Sequence, residues 1–248
     1  MFPLYDDNPH NQRPYVTWTL MALCIIVYAI QITRPGQGGD VMVYALGFVP
    51  AQMFTDSALP GAVEKVPSWL SILTYMFLHG GIMHLAGNLL YLWIFGDNVE
   101  VAMGRFRFLM FYLLTGVLAA LGHAMLETQG EIPMIGASGA ISGLLGAYVM
   151  LFPRANVRTL MFPYGFISVP AMVVLAIWFA LQVFNGLGAS SGEASVAFWA
   201  HVAGFIAGAL LVVLFKRRGV PLFAARHHSP FQMDRHDFSK GPWGSWRD

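Results

Sequence analysis

Charged side chains are scarce in this chain, and their scarcity limits the fold class. Asp, Glu, Lys and Arg make up 11% of the 248 residues, whereas hydrophobic residues make up 56%. Soluble domains carry about 25% charged residues. The composition therefore argues against a soluble globular fold and favours a chain that lies mostly in lipid. The length fits one compact bundle of helices with short tails.

Other features are also missing. The only cysteine, Cys24, lies in an apolar run, so there is neither a disulfide framework nor a thiolate metal cluster. Residues 1–15 lack the basic start and small-residue cleavage site of a signal peptide, and the Arg- and Ser-rich composition of a transit peptide. The sequence contains no internal repeat, which argues against a transporter built from inverted repeats. No motif indicates a nucleic acid, a nucleotide or a redox cofactor, so no nucleic-acid partner and no cofactor are predicted.

Long apolar segments are what the chain does contain. A membrane-spanning helix needs roughly 20 apolar residues, or about 17 at the short end. Six candidate spans cover residues 16–33, 81–96, 106–126, 138–152, 166–187 and 194–215. The fourth is short, at roughly 22 Å of helix, so its start should lie below the membrane surface. These spans predict a membrane domain over 16–215, after a short N-terminus (1–15) and before a basic tail (216–248) that we expect to be flexible.

The distribution of basic residues predicts the orientation. Only Arg34 and Lys65 lie in the gaps on one side, and the other twelve Lys and Arg residues lie on the opposite side. Cytoplasmic loops carry the excess of Lys and Arg. Both termini are therefore predicted to be cytoplasmic, and the fourth span should begin on the extracytoplasmic side.

Ser138, in the sequence GASG, lies where the fourth span begins. Near a helix N-terminus, free backbone N–H groups and the helix dipole stabilise negative charge. The oxyanion formed in acyl transfer needs such stabilisation. Gly136 is a further candidate for this site, because glycine permits close backbone approach. The structural alternative is that Ser138 simply caps the helix.

His201 lies about seven residues into the sixth span, roughly 10 Å below the surface, at a depth similar to that of Ser138. A serine needs an adjacent base to become a nucleophile, and His201 is predicted to be that base. The alternative is a histidine that only bonds neighbouring helices together.

Small residues recur every four positions in both of these spans. Gly139 and Gly143 do so in the fourth, and Gly204 and Gly208 in the sixth. Such patterns let two membrane helices approach closely. The pattern therefore predicts that these two helices pack together and bring the serine toward the histidine.

His84 and Asn88 lie four residues apart and share one face of the second span. Both can donate hydrogen bonds, so they could form an oxyanion hole with the backbone N–H of Ser138. Packing between helices is the alternative. His79, before a Gly-Gly break, is predicted to line a water-filled entrance. HGGIMH lacks the HExxH spacing of a zinc site, so no metal is predicted.

These motifs together resemble the rhomboid family of intramembrane serine proteases. The resemblance rests on GASG, on HGGIMHLAGN followed by GDNVE, and on AHVAGFIAG in the sixth span, and it covers about residues 16–215. It implies an all-α bundle of six transmembrane helices with Ser138 as nucleophile, His201 as general base, and no catalytic acid. His84 and Asn88 would assist the oxyanion.

The same resemblance implies a substrate that is itself a transmembrane helix and enters near the fifth span. Residues 188–193 would form a lid and residues 34–69 a partly embedded lateral loop. In one respect the sequence departs from the family. Some rhomboids place an aromatic residue, stacked on the catalytic histidine, where this chain has Ser142, so the group that orients the His201 ring is not identified.

We expect a multi-pass protein of a bacterial inner membrane, with its site open to the extracytoplasmic side. Two alternatives stay open: an inactive rhomboid-like protein that binds transmembrane clients, and a transporter or proton relay. The sequence does not determine the oligomeric state or the substrate.

Overall fold

The computed structural model describes residues 2–8, 12–34, 38–54, 66–163, 165–188 and 197–224. Helices dominate this part of the chain. In chain order they are α1 (Tyr15–Thr33), α2 (Gly38–Leu46), α3 (Ala51–Phe54), α4 (Ser68–Thr74), α5 (Ile82–Met103), α6 (Arg105–Leu126), α7 (Ser138–Leu151), α8 (Ala171–Gly188) and α9 (Phe198–Phe215). A single 3-10 turn, Tyr75–Phe77, extends α4. The strands are β1 (Phe2–Asp6), β2 (Asn156–Met161) and β3 (Gly165–Pro170).

Four of the described helices, α1, α6, α8 and α9, are long and apolar enough to cross a membrane. The pair Ser68–Phe77 and α5, bent by 84° at its break, gives a fifth candidate if it is one broken span. The apolar helix α7 is shorter, at 14 residues. The chain is thus mostly helical with four or five candidate spans. The full count of six and the side of the termini stay predictions.

Helix α7 lies at the centre of the bundle and packs against α5, α6 and α9. Eleven of its fourteen residues are buried. This burial explains how so short an apolar helix is accommodated, because its surface contacts other helices rather than lipid. The position of α7 also means that its first residue, Ser138, is held by protein on several sides.

The all-α prediction is wrong in one respect, because three strands form an antiparallel sheet in the order β1-β2-β3. Strands β2 and β3 form a hairpin in which Val157 faces Val169. The predicted fifth span, 166–187, begins too early, since residues 165–170 are β3 and the helix starts at Ala171. Hydropathy cannot distinguish these conformations, whereas the β-branched residues of β3 fit a pleated strand.

The N-terminal segment contains a strand that the sequence analysis did not predict. Strand β1 pairs with β2, and its last residue, Asp6, lies against the helices. Its carboxylate accepts hydrogen bonds from the hydroxyl of Tyr148 and, at 3.0 Å, from Nδ2 of Asn98. Burial, together with the neighbouring carboxylates of Asp97 and Asp7, raises the pKa of Asp6 to about 7 despite the bond from Tyr148.

Helix α5 continues beyond the predicted segment 81–96, because the polar residues near its end have partners. Glu100 is only 2% exposed and accepts hydrogen bonds from the backbone N–H groups of Val16 (3.0 Å) and Thr17 (2.8 Å). These N–H groups lie in the first turn of α1, where no intrahelical acceptor exists. The carboxylate therefore caps α1, and α5 runs on to Met103 without leaving an unpaired charge.

The beginning of the predicted tail, 216–248, is not loose. The N–H of Arg217 donates to the Ala102 carbonyl at 2.9 Å, and that of Phe223 donates to the Met150 carbonyl at 2.8 Å. Val220 is buried. Residues 216–224 therefore pack back onto the ends of α5 and α7, while residues 225–248 lie outside the described part.

The predicted lateral loop, 34–69, contains α2, α3 and the start of α4. Phe48 within it forms a β-bridge with Met134, in the segment that leads to α7. Residues 35–37 and 55–65 of this loop lie outside the described ranges, and its embedding in the membrane stays a prediction.

Candidate active site

The chain makes a tight turn immediately before Ser138. Gly136 has φ of +113°, in the left-handed region that favours glycine, and its N–H donates to the Tyr75 carbonyl at 2.9 Å. Ala137 is the N-cap residue and makes no side-chain capping bond. Ser138 is therefore the first helical residue, and its hydroxyl does not cap the helix.

The Ser138 hydroxyl is instead bonded to a histidine. Its Oγ lies 2.8 Å from Nε2 of His201, which is the fourth residue of α9. A nucleophile and its base are recognised by such a direct hydrogen bond. The structure thus brings together two side chains 63 positions apart that the sequence predicted to meet.

Glycines allow the two helices to come this close. A Cβ added at Gly204 would overlap the carbonyl oxygen of Gly139, and one added at Gly208 would overlap that of Gly143. Helices α7 and α9 therefore pack backbone against backbone at these two levels. The four glycines predicted for helix packing all lie at this contact, directly below the Ser138–His201 hydrogen bond.

His84 and Asn88 lie against the turn before the serine. A Cβ added at Gly136 would be 2.7 Å from Nε2 of His84 and 3.6 Å from Nδ2 of Asn88. The N–H of Gly80 donates to Nδ1 of His84 at 3.3 Å, so a neutral His84 ring carries its proton on Nε2. Both side chains thus point an N–H group toward the turn that carries Ser138.

The amide nitrogen of Asn88 has a further property. Asn88 is buried, and its Nδ2 has no hydrogen-bond partner among the described residues. A buried donor without a partner is costly and uncommon, and it calls for an explanation. A group that arrives only during a reaction would supply that partner.

These side chains line one cavity of about 230 Å³. Its wall comes from α5, α7, α8 and α9. The lining residues are Met83, His84, Gly87, Asn88, Tyr91, Ser138, Ile141, Ser142, Leu145, Trp178, Gln182 and His201. The cavity therefore joins the serine, the histidine and the two N–H donors in a mostly apolar space.

The chain is similar in sequence to proteins of one family. A family model described as the rhomboid domain matches residues 66–218, more than half of the chain. The chain belongs to the rhomboid family. Its similar relatives include the mitochondrial Rhomboid protein 1 of Saccharomyces cerevisiae, 32% identical over 151 residues, which are 59% of this chain and 42% of that protein.

Two bacterial relatives are named as proteases. Rhomboid protease GluP of Bacillus subtilis is 29% identical over 175 residues, 71% of this rhomboid and 32% of GluP. Rhomboid protease GlpG of Serratia proteamaculans is 29% identical over 207 residues, 84% of this rhomboid and 65% of GlpG. This rhomboid thus spans less than two thirds of the length of each of these three relatives.

His79 does not lie where the sequence predicted. Its side chain is fully buried, its backbone carbonyl accepts a hydrogen bond of 2.8 Å from Gln31, and its ring lies edge-on to that of His84 at 5.4 Å. It is packed in the interior beside His84 and does not line an entrance. In the part of this rhomboid that the structure describes, no three His, Cys, Asp or Glu side chains are grouped as a metal site requires.

Two residues that sequence reasoning missed lie against the His201 ring. Gln182 of α8 places its Oε1 2.8 Å from Nδ1 of His201. The ring of Trp178 lies 6.0 Å from the His201 ring, tilted by 37°. Ser142 instead donates to the Ser138 carbonyl at 2.6 Å. A signal was present in this rhomboid, because Gln182 is a polar side chain inside an apolar span, where such residues tend to be functional.

Proposed function

We propose that this rhomboid is an intramembrane serine endopeptidase that cleaves membrane-anchored proteins through a Ser138–His201 dyad and an acyl-enzyme. The hydrogen bond of 2.8 Å between Ser138 Oγ and His201 Nε2 carries the proposal. Family membership and the two bacterial relatives named as proteases support it.

The chemistry follows from the positions of these atoms. Nε2 of His201 takes the hydroxyl proton as Oγ of Ser138 attacks a substrate carbonyl carbon. The tetrahedral intermediate then collapses, the C–N bond breaks, and the same proton passes from Nε2 to the leaving amine. Water attacks the resulting ester with His201 again as base, which releases the acid product and restores the serine.

The oxyanion would be held by the donors that surround the turn. Nε2–H of His84, Nδ2–H of Asn88 and the backbone N–H of Ser138 are the proposed set, with Gly136 allowing their close approach. The missing partner of Asn88 Nδ2 supports this role, since an oxyanion would satisfy it. Donors fixed in advance at the place where charge develops are a large source of rate enhancement.

Substrates of this enzyme would be transmembrane helices that enter the cavity from the lipid. A helical peptide bond is shielded by its own hydrogen bonds, so residues with low helix propensity near the cut should favour cleavage. We propose six spans in all, cytoplasmic termini, and a site open to the extracytoplasmic side of a bacterial inner membrane. The charge distribution supports this orientation, whereas one relative is mitochondrial.

A fluorophosphonate probe tests the dyad without a known substrate. The protein is purified in mild detergent, and wild type is compared with Ser138→Ala, His201→Ala and a control, Ser168→Ala, which removes a serine on β3. Wild type and the control should be labelled covalently, and mass spectrometry should place the adduct on Ser138. Both dyad variants should lose labelling.

The two alternatives predict a different result. If folded wild type is not labelled but still binds transmembrane clients, the client-binding interpretation replaces this one. If Ser138→Ala leaves a measured transport or proton flux intact while labelling of wild type is absent, the relay interpretation gains support.

A further inference from the structure

We infer that Gln182 is a positioning residue that selects the tautomer of His201 in which the unprotonated nitrogen faces Ser138. This inference rests on the proposed function, because it assigns the group that prepares the base. Gln182 lies on α8, a helix that packs against α9, and it lines the same cavity as Ser138. Its amide oxygen contacts the ring nitrogen that Ser138 does not use.

The orientation of the Gln182 amide is fixed by its second bond. Its Nε2 donates to the backbone carbonyl of Trp178 at 3.4 Å. A carbonyl oxygen can only accept, so the NH₂ group must lie on the Trp178 side. The amide oxygen then faces His201, and the reversed amide would place two acceptors together.

The tautomer of His201 follows directly. An amide oxygen has no proton to give, so the 2.8 Å contact with Nδ1 of His201 requires that Nδ1 carry the hydrogen. A neutral imidazole has one N–H, and Nε2 is then the acceptor that receives the Ser138 hydroxyl proton. The other tautomer would leave Nδ1 and the amide oxygen as facing acceptors.

The Trp178 side chain is a second group of α8 that lies beside the His201 ring. Its ring lies 6.0 Å from that of His201 and 6.2 Å from that of Phe205. Helix α8 thus supplies an acceptor for one edge of the imidazole and an aromatic neighbour for it, while the Ser142 hydroxyl donates to the Ser138 carbonyl. A neutral amide can do this without adding a charge to the cavity.

The test replaces the acceptor while keeping the length of the side chain. Gln182→Met removes the acceptor, Gln182→Glu restores one, and Leu181→Ala is a control on the exposed face of the same helix. Two readouts are measured on folded protein in micelles. One is the second-order rate constant of fluorophosphonate labelling across pH, and the other is the His201 tautomer from ring-nitrogen NMR of histidine-labelled protein.

Wild type should show the proton on Nδ1. Gln182→Met should populate the Nε2–H tautomer and label roughly tenfold more slowly, as expected for the loss of one hydrogen bond of ordinary strength. Gln182→Glu should keep the Nδ1 proton, and the acid limb of its labelling profile should move to higher pH. Leu181→Ala should match wild type in both readouts.

Other results would overturn the inference. A wild-type His201 with its proton on Nε2 does so whatever the variants do, and so does a Gln182→Met protein that keeps both the Nδ1 proton and the wild-type rate. Failure of the proposed function looks different, since wild type would then not be labelled at all. The NMR measurement, repeated on Ser138→Ala protein, still reports the tautomer in that case.

Discussion

Polar groups lie at both ends of helix α7, but in different surroundings. At its first residue, the Ser138 hydroxyl bonds to His201 and lies in a cavity of about 230 Å³. Near its last turn, the Tyr148 hydroxyl bonds to Asp6, whose carboxylate also accepts from Asn98. The rings of Phe95 and Phe152 pack on Tyr148.

The difference lies in what surrounds the polar groups at each end. At the Tyr148 end, Asp6 is bonded to Tyr148 and Asn98, and Nδ2 of the neighbouring Asn8 is buried without a partner among the described residues. At the Ser138 end a buried amide nitrogen, that of Asn88, has no partner among the described residues. The candidate site is therefore marked by an unpaired donor that lines a cavity together with the bonded pair Ser138 and His201.

The largest expected effect comes from substituting two asparagines of α5. Asn88 lies at the Ser138 end of α7, and Asn98 lies at its Tyr148 end. Asn88→Ala should slow fluorophosphonate labelling about a hundredfold to a thousandfold, as for the loss of one oxyanion donor, without lowering stability. Asn98→Ala should lower the free energy of unfolding by about 1–3 kcal/mol, because Asp6 loses a partner, while the folded fraction labels normally. Equal effects of the two changes on the labelling rate would remove the distinction between the ends.

A smaller effect is expected from the contact of α7 with α9, which lies between the two ends of α7. Gly208→Ala places a methyl group on the Gly143 carbonyl and should lower the free energy of unfolding by about 1–3 kcal/mol. Labelling should fall with it, because the same contact holds His201 at Ser138. Gly188→Ala is the matched control, since a Cβ there meets nothing within 4 Å. Unchanged unfolding of Gly208→Ala would show that the helices do not need this approach.

The smallest effect concerns pH at the Tyr148 end. Burial raises the pKa of Asp6 from 3.8 to about 7, so the docked strand favours the protonated carboxyl. Docking should therefore be strongest below pH 4 and weaken as the pH rises through about 7. Hydrogen exchange of residues 2–6, corrected for the intrinsic pH dependence, should be faster at pH 8 than at pH 4, with a limit set by a factor of about ten for each unit of the pKa shift.

Asp6→Asn provides the control for this measurement. The amide cannot titrate, so the corrected exchange of β1 should be independent of pH if Asp6 is responsible. The neighbouring carboxylates Asp7 and Asp97 also face this cluster, and a pH dependence that persists in Asp6→Asn would assign it to them.

The sequence was a good guide wherever one residue property determined the structure. Apolar runs located the helices, and the glycine spacing anticipated the contact of α7 with α9. Ser138 and His201 were identified because ionisable and nucleophilic groups are rare in such runs. Each of these signals is local or repeats along a single helix, so it can be read without knowing the fold.

Signals that depend on distant partners were not readable. Strand β1 pairs with β2 about 150 positions away, and five residues near an N-terminus give no pattern that predicts such a partner. Residues 166–170 were assigned to a span because apolar strands and apolar helices have the same hydropathy. The role of Gln182 depends on which face of α8 meets α9, which only the packing determines.

The pairing of β1 with β2 has a consequence for the synthesis of the protein. Residues 2–6 are made before their partners, 156–161, which appear only after α1, α5, α6 and α7 have been made. The first strand must therefore remain without its sheet while these helices are made, and its docking against Tyr148 cannot precede the synthesis of β2. Truncated nascent chains ending before residue 156 should thus lack a structured N-terminus, whereas chains long enough to expose 156–161 should acquire one.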